Sequence, residues 1–224
     1  MDWTALWLSV QLSLATALIL LPLGVLAARW LARSRHVLKP VFEAMLALPL
    51  VLPPTVLGFY LLVAMGGESV LGAWFQQLFG HTLAFSFTGL LVASVVFNIP
   101  FALMPMQRAF EAIPDDLHDA ARSCGLSRWR ALWRIELPLA SRGILSGMIM
   151  TAAHTMGEFG VVLMVGGSIP GETRTIAIAI YDEVQSFDMQ AAGTMSATLL
   201  VLSMLTLLVS AWLIRVPPAA QQRG

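Results

Sequence analysis

The residues best suited to chemistry in this sequence are few and sit in apolar surroundings. Glu158 lies inside a long hydrophobic stretch, with His154 four residues before it, one helical turn away. A carboxyl and an imidazole at that spacing can pair with each other or serve an ion or proton path. His36, His81 and His118 are scattered, and the single cysteine, Cys124, has no ligand-spaced partner. Neither a zinc motif nor a disulfide framework is expected, and with no nucleophile–base pairing the sequence predicts no catalytic residue, metal or cofactor. The phosphate-cradling pattern G-x-x-x-x-G-K-[ST] does not occur, because the one lysine, Lys39, follows no glycine. ATP hydrolysis is therefore not expected of this chain, and nothing points to a nucleic-acid partner.

The elements that carry these residues are set by composition. Hydrophobic residues make up 58% of the 224 and charged residues 12%, with a mean hydropathy of +0.78. A soluble domain carries roughly 25% charge, so this chain suits a lipid-facing surface instead. It is expected to form one membrane domain, residues 1–224, all α-helical. A crossing helix needs about 20 mostly apolar residues. Residues 6–28, 85–106, 139–165 and 189–214 meet that, and residues 41–65 are long enough but carry Pro49, Pro53 and Pro54. Five spans are expected.

Basic residues orient them. Arg29, Arg33, Arg35 and Lys39 follow the first span, Arg108, Arg122, Arg128, Arg130, Arg134 and Arg142 lie between the third and fourth, and Arg215 and Arg223 follow the fifth. Only Arg174, of 13 Lys and Arg, falls on the other side, which predicts an N-terminus outside and a C-terminus inside. A cleaved signal peptide is disfavoured, since Asp2 precedes the first apolar run and the arginines follow it. Residues 166–188 open on a Gly-Gly turn signal and hold no run long enough to cross. An interfacial or re-entrant piece on the outer side is expected there.

The inner connection, residues 112–138, is the most informative stretch. Pro114 suits a first helical position, with Asp115 and Asp116 opposing the helix dipole. Leu117, Ala120, Ala121 and Cys124 recur at helical spacing, and Gly125 is a C-terminal stop. Ser127 can cap a second short helix carrying Trp129 and Trp133 and ending by Pro138. Such a basic amphipathic unit fits either a docking element or a loop lying on the membrane surface.

The spacing Asp119-Ala120-Ala121, three residues, Gly125, nine residues, Ile135-Glu136-Leu137-Pro138 resembles the EAA loop of ABC importer permeases. There the pattern reads Glu-Ala-Ala, three residues, Gly, nine residues, Ile-x-Leu-Pro. The resemblance implies a type I importer permease fold in the bacterial inner membrane. It also implies a coupling helix formed by Asp119, Ala120, Ala121, Gly125 and Leu126, which docks on a separate ATPase subunit. Asp119 replaces the family's Glu, keeping the charge on a shorter arm.

Two more stretches narrow the substrate. Residues 48–58, with Pro49, Pro53 and Pro54, must kink or unwind the second span. Carbonyls freed at membrane depth are tolerated only against protein or a water-filled cavity, so the break marks either a packing kink or the translocation path. Gly157-Glu158-Phe159-Gly160, and the outer run containing Gly171, Glu172 and Arg174, complete a resemblance to the molybdate and sulfate permeases over most of the chain. It favours molybdate, with tungstate or sulfate as alternatives.

Candidate path residues are Pro53, Pro54, Asn98, Thr155, Gly157, Glu158 and Gly160, with Gly171, Glu172 and Arg174 in the outer loop. Glu158 lies about 24 Å along the fourth span from Arg142 at 1.5 Å per residue. A charged carboxyl there would repel a dianion, so a paired or structural role is expected, with His154 or Arg174 as partner. The resemblance implies a second copy of the chain, two ATPase subunits, a periplasmic molybdate-binding protein and surrounding lipid. A secondary transporter would call for paired mid-membrane carboxyls or repeated broken helices. A membrane-anchored enzyme would need a constellation the sequence lacks.

Overall fold

The structure, a computed structural model, describes residues 1–214 and is all-helical over that range. Arg215 and Arg223, used above for orientation, lie outside the described residues. Three helices are long and apolar enough to cross a membrane: α1 (Trp3–Arg33), α5 (Phe87–Glu111) and α11 (Met189–Ile214). Two further spans are broken helix pairs. α2 (Lys39–Val51) and α3 (Pro54–Met65) meet at 107°, and the helix Arg128–Gly157 meets α9 (Gly160–Gly166) at 62°. Counting each pair as one span gives the five expected.

α1 begins at Asp2, whose side chain accepts the Ala5 amide at 2.9 Å, a standard N-cap. At 1.5 Å per residue its 31 residues run about 46 Å, well beyond the ~30 Å hydrocarbon core. Ala5, Leu8, Leu12, Ala17, Leu20, Gly24, Ala28 and Leu31 form its buried stripe, facing α5 and α8 (Leu137–Gly157). α8 presents Ala140, Gly143, Gly147, Thr151 and Thr155 at three- and four-residue steps. A Cβ at Gly147 would lie 2.6 Å from the Ala102 carbonyl oxygen, and one at Gly143 would overlap Ala109. Such close approach is what small residues provide where lipid supplies no hydrophobic drive. Beside this three-helix core, α11 packs against α8 and α10 and leaves Leu200, Val201, Met204, Leu205, Leu207 and Leu208 exposed along one face, as a lipid-facing surface requires.

The fourth expected span, residues 139–165, is not one helix. Gly157 ends α8, Glu158 is extended at φ −67, ψ 130, and α9 restarts at Gly160. Two glycines around a side-chain acceptor make such a stop inexpensive.

Pro138 does not end a helix either. α7 (Arg128–Ala131) runs through a π turn (Leu132–Glu136) straight into α8; the Leu137 amide donates back to the Leu132 carbonyl, a wider register beside a proline that has no donor to offer. Pro114 stands one position earlier than expected, as the N-cap of α6 (Asp115–Ser123).

Two further connections are partly helical. α4 (Val70–Phe79) is capped by Ser69 Oγ accepting from the Gly72 amide at 2.9 Å, and stops at Gly80, φ +75. Residues 166–188 fold as a tight loop followed by α10 (Ile176–Gln185), a helix far too short to cross.

Candidate translocation path and coupling segment

The two helix breaks meet. A Cβ on Gly160, the first residue of α9, would lie 2.7 Å from Pro54 Cβ, the first residue of α3. One turn further, a Cβ on Gly58 would lie 2.7 Å from Met164 Cβ and 3.2 Å from Val161 Cα. Pro53, Pro54, Gly157, Glu158 and Gly160 are thus gathered into one junction of interrupted backbone between the two bent helix pairs. Such backbone persists only where it is buried in protein or lines a cavity.

Glu158 does not pair with His154 or Arg174. Its Oε1 accepts the Val161 amide at 3.0 Å, and the residue is 7% exposed. It therefore satisfies a free N–H at the restart of α9. His154 turns to the neighbouring helix, where its Nδ1 faces Asn98 Oδ1 at 3.1 Å and its ring stacks on Phe101 with centroids 3.8 Å apart. The Asn98 amide nitrogen donates to the Ser94 carbonyl at 2.8 Å. Thr155 is buried, with its hydroxyl donating to the Thr151 carbonyl at 2.8 Å. Both expected polar residues, Asn98 and Thr155, therefore act within or between helices, the commoner use of such groups in membranes.

Arg174 binds elsewhere because nearer carboxyls claim it. It reaches Asp2 at 3.2 Å, Asp182 at 3.0 Å and Glu183 at 3.6 Å, tying the start of α1 to α10. The Ile176 amide adds a hydrogen bond to Ser9 Oγ at 2.8 Å. Gly171 adopts φ +79, and Glu172 is exposed on the same loop.

On the other side, residues 115–126 form a helix with a complete C-terminal stop. Gly125 adopts φ +72, its amide bonds to the Arg122 carbonyl at 2.9 Å, and the Leu126 amide bonds to Ala121 at 3.0 Å. These are the paired bonds of a Schellman motif. Of the expected apolar stripe only Ala121 is buried, while Leu117, Ala120 and Cys124 are exposed. Asp119, also exposed, pairs with Arg122 along the helix. The stripe is therefore free to meet a surface outside this chain.

Behind it lies a cavity of about 740 Å³ lined by Arg29, Arg33, His118, Asp119, Arg122 and Glu136 among others. Glu136 was not singled out from sequence. It is 2% exposed and held by Arg29 and Arg33, and nothing local could have signalled partners more than a hundred residues away. Among the described residues, no group of three or more His, Cys, Asp or Glu side chains is placed to hold a metal ion.

The model of a family described as "binding-protein-dependent transport system inner membrane component" matches residues 20–219. A molybdenum transport system permease protein, ModB, of Azotobacter vinelandii is 44% identical over 206 residues, covering 92% of this chain and 91% of its own. The protein of that name from Escherichia coli K12 is 38% identical over 216 residues, covering 96% and 94%. Among solved structures, a bacterial alginate ABC transporter in complex with its pentasaccharide-bound periplasmic protein superposes with a TM-score of 0.75. It shares 16% identity and covers 95% of this chain and 77% of its own, which is a likeness of fold.

Proposed function

Because the chain belongs to the family of binding-protein-dependent transport system inner membrane components, we propose that it is the membrane-spanning subunit of an ATP-driven importer for molybdate. Membership makes it a transport subunit of the inner membrane rather than an enzyme. The observation that carries the substrate is the likeness to two proteins named for molybdenum transport over more than nine-tenths of this chain.

Two broken spans bear on the secondary-transporter alternative, since repeated breaks are a feature of such proteins. Glu158 is nonetheless occupied as a helix cap, so among the described residues no second carboxyl stands with it at the break to carry a coupling ion. The exposed helix and turn at residues 115–126 instead favour energy delivered from outside. Its charged, unburied surface suits docking on an ATPase subunit, with Asp119, Ala120, Ala121, Gly125 and Leu126 at the contact.

One such segment per chain fits a dimer of this chain above two ATPases, with the N-terminus outside. A periplasmic molybdate-binding protein would select the anion and release it at the outer mouth, past Gly171, Glu172 and Arg174. ATP-driven approach of the two coupling segments would then turn the cavity between the copies from inward-facing to outward-facing. Rigid-body rocking of this kind needs no tight site along the way, and a tight site would hinder release.

Uptake of labelled molybdate into liposomes tests the reading. The chain alone is expected to transport nothing, and the complex with ATPase and binding protein is expected to transport only with ATP. Tungstate is expected to compete more strongly than sulfate. Transport by the chain unaided, driven by an ion gradient, overturns it.

A further inference from the structure

We infer that Glu136 is the positioning residue through which movement of the coupling segment reaches α1. This rests on the coupling role proposed above. Glu136 closes the π turn that leads from the coupling segment into α8. Its Oε2 accepts from Arg29 Nε at 2.5 Å, and its Oε1 accepts from Arg29 Nη2 at 3.1 Å, a two-pronged grip on one guanidinium. The same Oε1 lies 3.2 Å from Arg33 Nη2 and 3.8 Å from His118 Nε2. Arg29 Nη2 also reaches the Arg128 carbonyl at 3.4 Å, and His118 Nδ1 faces the Pro114 carbonyl at 3.2 Å.

One buried carboxyl thus ties the last turns of α1 to the entry to α8, with His118 of the coupling helix α6 set beside it. A planar guanidinium fork fixes direction as well as distance, so α1 cannot slide past the coupling segment without breaking the grip. α1 continues as one helix through Pro22, and its far end is tied to residues 174–183 through Asp2 with Arg174 and Ser9 with Ile176. Displacement delivered at the coupling segment therefore has a continuous helical route to the far end of α1.

A role in stability alone lowers hydrolysis and transport together, whereas a transmitting role separates them. The full complex in liposomes, with molybdate moved per ATP as readout, distinguishes the two. Glu136→Gln is expected to keep ATP hydrolysis within about twofold while the transport ratio falls at least tenfold. The reversed pair, Arg29→Glu with Glu136→Arg, is expected to regain at least a third of the ratio. An unchanged ratio in Glu136→Gln, or a proportional fall in both activities, overturns the inference.

Hydrogen exchange on the unmodified complex decides the matter even where the variants do not fold. Trapping with ATP is expected to alter exchange in residues 115–123 and in residues 28–33 together. A change confined to residues 115–123 sinks the tie and leaves the coupling reading standing. No change in either brings down both.

Discussion

His154 Nδ1 faces the Asn98 side-chain oxygen at 3.1 Å across the seam between α5 and α8. The Asn98 amide nitrogen is spent on Ser94, so its oxygen must accept and His154 must donate from Nδ1. Asn98→Leu removes that acceptor and strands the imidazole N–H beside Phe97 and Phe101. Inter-helix bonds of this kind in membranes contribute about 0.6 kcal/mol and at most about 1.7. A small fall in the thermal midpoint of the detergent-solubilised protein is expected. A variant that fails to insert at all would show the pair to matter far more than its chemistry allows.

Gly147 tests the seam more severely. Its Cβ would lie 2.6 Å from a backbone oxygen of Ala102, which cannot move aside as a flexible side-chain end can. Gly147→Val is expected to destabilise by about 1–3 kcal/mol, the usual cost of overpacking, and to lower the yield of monodisperse protein. Gly193, in α11, has nothing within 4 Å of a built Cβ. Gly193→Ala should be neutral or stabilise by up to about 1 kcal/mol, since alanine is the better helix former. Equal behaviour of the two variants in a melting series would contradict the packing described.

How much of this was legible beforehand depends on the range of each signal. Runs of apolar residues located the three long helices and the two bent pairs, because length and hydropathy are local quantities. The break before Pro54 was readable since proline removes a donor wherever it stands. The break at Glu158 does not follow from the sequence, because glycines permit an interruption without requiring one and His154 or Arg174 is the expected partner of the carboxyl. α4 has no counterpart among the sequence expectations although Ser69 and Gly80 bracket it, because its ten residues are too few to register as a span. The grip of Arg29 and Arg33 on Glu136 was out of reach, since it joins residues 107 positions apart at its closest contact.

Glu158 as a cap carries its own expectation. A glutamine retains an oxygen able to accept the Val161 amide, whereas alanine leaves that N–H unpaired. Losing a helix-start acceptor costs about 0.5–2 kcal/mol. Glu158→Gln is expected to keep molybdate uptake within about threefold, on the order of 0.7 kcal/mol, and Glu158→Ala to lose stability and uptake together. A folded but inactive Glu158→Gln would instead assign the carboxyl to the passage of ions.

Gly125 separates backbone shape from docking contact. Its φ of +72 is costly for any side chain, yet a Cβ there meets nothing within 4 Å. Gly125→Ala therefore costs about 1 kcal/mol of backbone strain and should leave most uptake intact. Gly125→Pro fixes φ near −65°, which forbids the turn and redirects the chain after α6. Asp119→Lys leaves the fold alone, since an exposed pair such as Asp119 with Arg122 stabilises a helix by only about 0.2–0.5 kcal/mol. It nonetheless reverses the charge offered to the ATPase. Uptake per inserted molecule should vanish for Gly125→Pro and Asp119→Lys, and the ATPase should no longer co-purify with either. Wild-type transport in both variants would leave residues 115–126 as a surface loop with no part in delivering energy.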